Sequence, residues 1–271
     1  MTDTSAAPST ETDPIAVLLA GATSPILRVL QGTGDGATVL DLACGTGEPA
    51  ATILREHPSW RVIGVDTAEE VVRAAQARVP DARAEFRVGS MTDLDLPDGS
   101  VDAVVSRMGA LMMGDTEATA REIARVLRPG GRIGIAAWAE QEHNPFMAVA
   151  VDSLRAAGVP GSRVPDFASW FDAMAAEGVR EGWLRAAGVT TAGSGRFTWS
   201  AFFPDFDSWW HHQTRGGSSH RGGSFAAVLA ELDRAGRDRV RAAMVERMSG
   251  YRDADGGYAI PATAQLVTGT R

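Results

Sequence analysis

Short apolar runs alternate with stretches of helical periodicity along the first half of this chain. Ala37 to Leu42 reads as a buried strand that enters a glycine turn, and Pro49 then begins a helix over Ala50 to Glu56. Proline suits a first helical position, where its missing N–H leaves nothing unpaired. Arg61 to Asp66 is a second buried run, and Ala84 to Gly89 alternates like a half-buried edge strand. Val101 to Val105 and Arg132 to Trp138 supply a fourth and a fifth strand. Thr67, with Glu70 three residues on, predicts a capping box, and Asp115 predicts the cap of a helix from Thr116 to Arg128. Arg128-Pro129-Gly130-Gly131 is expected to stop that helix. Ile15 to Leu30 is apolar with Pro25 interrupting, and predicts two short helices. Val179 to Ala187 reads as a helix, Gly188-Val189 as the opening of a sixth strand, and Tyr258 to Gly269 as the last strand. Strands alternating with helices predict a parallel sheet with right-handed crossovers.

Composition narrows the class. A chain of 271 residues with 44% hydrophobic and 22% charged residues is that of a globular protein with a sizeable core. No apolar run approaches a membrane span. Met1 to Pro14 is polar and rich in Ser and Thr, without the basic start and apolar core of a signal peptide; residues 1–14 are expected to be a disordered tail. Cys44 is the only cysteine, so no internal disulfide is possible, which fits a reducing cytoplasm. A net charge of −8 argues against a general nucleic-acid-binding surface. All 26 basic residues are arginine. No H-E-x-x-H or C-x-x-C spacing occurs, so no metal site is expected.

The candidate chemistry centres on Asp41-Leu42-Ala43-Cys44-Gly45-Thr46-Gly47-Glu48-Pro49. Glycines at 45 and 47 let the backbone turn tightly and approach a ligand, and the turn ends at a helix N-terminus. Gly45 to Ala50 satisfies the loose G-x-G-x-x-G/A pattern of dinucleotide folds. Asp41 and Glu48 speak against a pyrophosphate, which two carboxylates would repel; an ammonium or a sulfonium they would attract. The segment instead resembles the first motif of class I S-adenosylmethionine (SAM)-dependent methyltransferases, acidic-x-Gly-x-Gly-x-Gly. Ala43 stands for the first glycine, a departure expected to change little sterically. Leu96 to Arg107, and the helix, R-P-G-G, strand succession, resemble the ubiquinone-biosynthesis-like (methyltransferase type 11) branch of that family. The resemblance is dense from Ala37 to Trp138 and thin beyond.

The resemblance implies an α/β, doubly wound, Rossmann-like seven-stranded sheet, mostly parallel with the last strand antiparallel. It implies one methyltransferase domain over 15–271, with acceptor-covering insertions at about 143–176 and 203–257, the later one a helical lid. The cofactor would be SAM, leaving S-adenosylhomocysteine. Asp41 would stand near the methionine ammonium, and Ala43, Cys44, Gly45 and Gly47 would line the turn, with Cys44 as packing rather than a nucleophile. Asp66, about 20 residues beyond the turn, would hold the ribose together with Thr67; a helix-capping role for Asp66 is the competing reading. Ser90, where the family often has an aspartate, and Met91 would meet the adenine, with Asp93 or backbone groups as alternatives for its amino group. Ser106 and Arg107 would flank the methionine half.

On the acceptor side, Met108, Trp209, His211 and His212 are candidate contacts, and packing or surface roles compete at each. His143 is a candidate general base. Gly216 to Gly223, with His220, is a candidate hinge. The reading is methyl transfer to a small-molecule acceptor, a secondary metabolite, by in-line attack on the sulfonium methyl. A SAM-binding cyclase or isomerase of the same fold is the alternative, and a nicotinamide oxidoreductase a third.

Overall fold

A computed structural model describes residues 14–164, 172–214 and 225–271. The expected runs form strands β1 Thr38–Leu42, β2 Arg61–Asp66, β3 Ala84–Val88, β4 Val101–Arg107, β5 Leu127–Trp138 and β7 Tyr258–Thr270, while β6 runs Thr190–Phe203, beginning just after Gly188-Val189 and much longer than they suggested. They form one sheet in the order β3-β2-β1-β4-β5-β7-β6. The first five are mutually parallel, and β7 runs antiparallel between β5 and β6. The order reverses after β3, so β1 and β4 lie side by side and their carboxyl ends open the crevice where such sheets take ligands.

Helices cover both faces. Helices α1 Pro14–Val29, α2 Ala50–Glu56 and α3 Glu69–Arg78 pack on one side, joined by α5 Pro145–Ala156, α7 Phe206–Thr214, α8 Phe225–Ala230 and α9 Arg234–Met248. The other side carries α4 Thr116–Val126 and α6 Val179–Ala186, which bury Ile123 and Leu184 against Leu40, Val104 and Ile133. With both faces covered, central strands such as β1 and β4 are buried almost throughout.

Several local expectations need correction. Ile15 to Leu30 is one helix, α1, with Pro25 inside it. Ala22 and Ile26, on either side of Pro25, are both wholly buried, and Trp199 Nε1 donates to Leu18 O at 2.8 Å. Packing across β5 and β6 therefore outweighs the backbone bond that proline removes. Pro14 opens α1, and the remainder of the expected tail lies outside the described residues, as do Gly216 to Gly223 and His220.

Pro49 is the N-cap of α2 rather than its first residue. Thr67 caps nothing: α3 starts at Glu69 behind Ala68, whose N–H is taken by Asp66 Oδ1 at 3.1 Å. An acid ending a strand reaches that N–H first. Helix α4 ends at Val126, because Leu127 already pairs with Val101. R-P-G-G therefore lies within β5, as an irregularity between the pairs Val101/Leu127 and Ala103/Arg132. Arg128 pairs with Asp102 there, and Gly130 and Gly131 exchange backbone bonds with Arg271.

Candidate active site

The glycine turn is held by its neighbours on β2. Cys44 N–H donates to Val65 O at 3.1 Å, and Gly45 N–H donates to Asp66 Oδ2 at 3.1 Å. Asp66 thus braces the turn with one oxygen and holds Ala68, the residue that leads into α3, with the other. Gly45 and Gly47 have φ of +55° and +93°, a region that favours glycine. Ala43 has φ +53° as well. A non-glycine residue there costs about 1–2 kcal/mol, so the alanine is not the small change expected. Its methyl also presses on the β4 side: a Cβ placed on Gly109 would lie 2.2 Å from that of Ala43. Met108 and Leu111 follow with φ of +63° and +58°. All three strained residues stand just beyond the ends of β1 and β4, and such strain gathers at functional sites.

Three carboxylates surround the turn. Asp41 is wholly buried, and neither oxygen makes a hydrogen bond. Burial pushes its carboxyl up to about 7 against the pull of Arg107 and the Ala50 N–H, while Glu48 and Asp66 push it further. Glu48 accepts from Thr52 Oγ1 at 3.2 Å and lies 3.6 Å from Arg78, with its second oxygen buried and unbonded. Burial pushes the Cys44 thiol well up, so it is no thiolate at neutral pH and serves as packing. Arg107 reaches from β4 to Thr23 Oγ1 of α1 at 2.9 Å, which brings α1 over this end of the sheet.

The other predicted cofactor residues are placed as follows. Ser106 is fully enclosed; its hydroxyl donates to Leu42 O and accepts from Ala110 N–H, both at 2.8 Å. Ser90 Oγ bonds Thr92 Oγ1 at 2.7 Å in the turn after β3, and Met91 packs against the α4-side core. Thr67 is exposed.

On the acceptor side, Met108 is buried and its N–H donates to Ala136 O at 2.8 Å. Trp138, at the end of β5, meets Phe146 edge-on at 4.9 Å and stacks on Trp199 at 5.8 Å. Trp209 is wholly buried against Phe203 and His212, with its indole N–H unbonded, and His211 Nε2 is likewise buried without a hydrogen bond. His143 is partly exposed, its Nε2 3.4 Å from Glu142.

Two residues with no sequence signal stand out here. Asn144 bonds Ala139 O and Thr263 O through Nδ2 and accepts Thr263 N–H, fixing the chain leaving β5 against β7. Arg180, completely buried, donates to Leu111 O, Trp138 O and Gln265 Oε1. It ties the end of β5 to the loop after β4. On an arginine- and glutamate-rich helix it reads as a solvated residue; only packing shows otherwise. Burial lowers its guanidinium to about 10.

A family model described as a methyltransferase domain matches residues 39–131, which run from β1 to R-P-G-G and include the turn, Asp66 and the strained loop after β4. Over this segment the chain is similar to methyltransferase domains. The domain is 38% identical over 120 residues to nocamycin O-methyltransferase of Saccharothrix syringae, covering 41% of this chain and 42% of that protein. It is 34% identical over 108 residues to 2-methyl-6-phytyl-1,4-hydroquinone methyltransferase of Synechocystis, covering 40% of this chain and 34% of the relative. The chain thus spans less than half the length of the curated relatives it matches. Among solved structures, the [4+2]-cyclase SpnF superposes with a TM-score of 0.56 at 24% identity, over 93% of this chain and 81% of that one. The shared fold thus extends well beyond the methyltransferase segment. Among the described residues no helix is long and apolar enough to cross a membrane, and no group of His, Cys, Asp and Glu could hold a metal.

Proposed function

We propose that the protein is a SAM-dependent methyltransferase acting on a small molecule. The observation that carries this reading is the set of acids around the turn: Glu48 and Asp66 give a negative field that suits a cationic nucleoside and repels a pyrophosphate, and the buried Asp41 adds its charge once it ionises. SAM supplies an activated methyl on a sulfonium. The residues' task is then to align the acceptor with that methyl and exclude water. The open space at Gly45 leaves room for a ligand against the turn, and Asp66, braced on Gly45 and Ala68, is placed to accept from ribose hydroxyls. Thr67, Ser90, Met91 and Arg107 complete the cofactor side in this reading. Met108, Trp209, His211 and His212 face the acceptor question, with His143 as the base where one is used.

A natural-product acceptor in the cytoplasm is the setting we favour. The nocamycin relative, the charge of −8 and the single cysteine support it. The test is calorimetry with SAM, and with NAD as control. Micromolar SAM binding that weakens at least tenfold in Asp66→Ala supports the reading; a folded protein that binds NAD and not SAM refutes it. The likeness to SpnF, a matter of fold alone, makes a cyclase the second reading. Mass analysis of the product separates the two, since only methyl transfer adds 14 mass units.

A further inference from the structure

This inference rests on the cofactor reading above. We propose that the carboxylates around the glycine turn form a proton-for-cation exchange site: Asp41 is a neutral acid in the free protein, and a cationic nucleoside arriving at the turn expels its proton.

The geometry comes first. Asp41 sits inside β1, wholly enclosed, and neither of its oxygens has a hydrogen-bond partner. An ionised carboxylate in such a place is costly, and the ordinary response is to take up a proton. Every element packed around it bears on its charge. Glu48 from the turn and Asp66 from β2 oppose ionisation, and Arg107 from β4 favours it. The Ala50 N–H of α2 also favours ionisation, although it stands outside hydrogen-bonding geometry with either oxygen, and the adjoining Cys44 thiol stays protonated. Burial, the largest influence, outweighs Arg107 and the Ala50 N–H, and with the smaller push of Glu48 and Asp66 it places the change near pH 7.

A cation lodged against Gly45 and Gly47 needs no contact with Asp41 to reverse that balance. Across a dry interior a unit charge acts with little screening. The exchange balances: one positive charge enters the site and one proton leaves the carboxyl for the buffer. The sign follows from linkage. Because the ligand favours the carboxylate, protons compete with it, so affinity falls as pH drops below about 7.

The test is calorimetry at pH 6.5 in two buffers of different ionisation enthalpy, with three nucleosides. SAM carries an ammonium, a carboxylate and a sulfonium, S-adenosylhomocysteine an ammonium and a carboxylate, and 5′-methylthioadenosine none of these; the ammonium common to the first two is the charge this reading sets near Asp41. Below pH 7 the ligand amine keeps its charge, since α-amino groups titrate near ~7.7–8.0. We expect SAM and S-adenosylhomocysteine each to release half a proton or more, and methylthioadenosine none. Between pH 7 and 5.5 the SAM association constant should fall up to tenfold per unit. Asp41→Asn, isosteric with the neutral acid, should abolish the release and flatten the profile.

Wild-type protein that binds SAM with no buffer-dependent heat overturns the exchange while leaving the cofactor reading intact. So does equal release in Asp41→Asn, which would assign the proton to a histidine. Should Asp41→Asn fail to fold or bind, the contrast between S-adenosylhomocysteine and methylthioadenosine on wild-type protein decides: equal release by both overturns the proposal. Binding of none of the three sinks the cofactor reading, and the exchange with it.

Discussion

Ser106 tests the account of the site most directly, because one atom links its two central strands. Its hydroxyl donates to Leu42 O at the end of β1 and accepts the Ala110 N–H beyond the strained Met108, at 2.8 Å each. The side chain is wholly enclosed, so water replaces neither bond after Ser106→Ala. Leaving a buried donor or acceptor unpaired costs about 1–3 kcal/mol each. Two such groups give a loss of about 2–6 kcal/mol. In a chain of this size each kcal/mol moves the melting point by about 2–4 °C, so a fall of roughly 4–24 °C is expected. The assay is denaturant and thermal unfolding beside Ser100→Ala, which deletes an exposed hydroxyl bonded to Pro97 O and should stay within about 0.5 kcal/mol. If the two variants lose equally little, Leu42 and Ala110 have found other partners, and the claim that Ser106 joins β1 to the β4 turn fails.

Two further outcomes follow from the same region. Asp41 has a folded pKa of about 7 against an ordinary 3.8, so its ionisation costs stability from pH 4 upward and fully above 7. Asp41→Asn should therefore stabilise the ligand-free protein by up to about 4 kcal/mol at pH 8, with the gain shrinking toward pH 4; urea unfolding across that range checks it, and a gain independent of pH contradicts it. Gly109→Ala places a methyl 2.2 Å from that of Ala43 and should cost about 3 kcal/mol, much of it recovered in the double variant with Ala43→Gly. Strict additivity of the two changes would show that the methyls do not meet.

The sequence by itself determined the frame. Buried parallel strands are short and mostly apolar, and glycine, proline and acid punctuation marks their ends, so the first five strands, the turn at Gly45 and Gly47 and the acid ending β2 were legible, with β7 besides; of β6, Thr190–Phe203, only an opening just before it was. These are local properties, carried by neighbouring residues. What the tertiary structure decided depends on residues distant in the chain. Pro25 stays inside one helix because Trp199, far along the chain, anchors Leu18. Helix α3 starts without a side-chain cap because Asp66 takes the Ala68 N–H, and R-P-G-G enters a strand because Arg271 pairs with it.

The site divides the same way. The candidates Asp41 and Asp66 could be named from spacing, but not that Asp41 lacks any hydrogen-bond partner, since that requires knowing what β2, β4 and α2 bring to it. Arg180 reads as surface on its helix, and only the closing of β5, β7 and the loop after β4 around it makes it a buried clamp. Local geometry is written in periodicity and turn chemistry; burial, and the electrostatics that follow from burial, exist only once the chain has closed on itself.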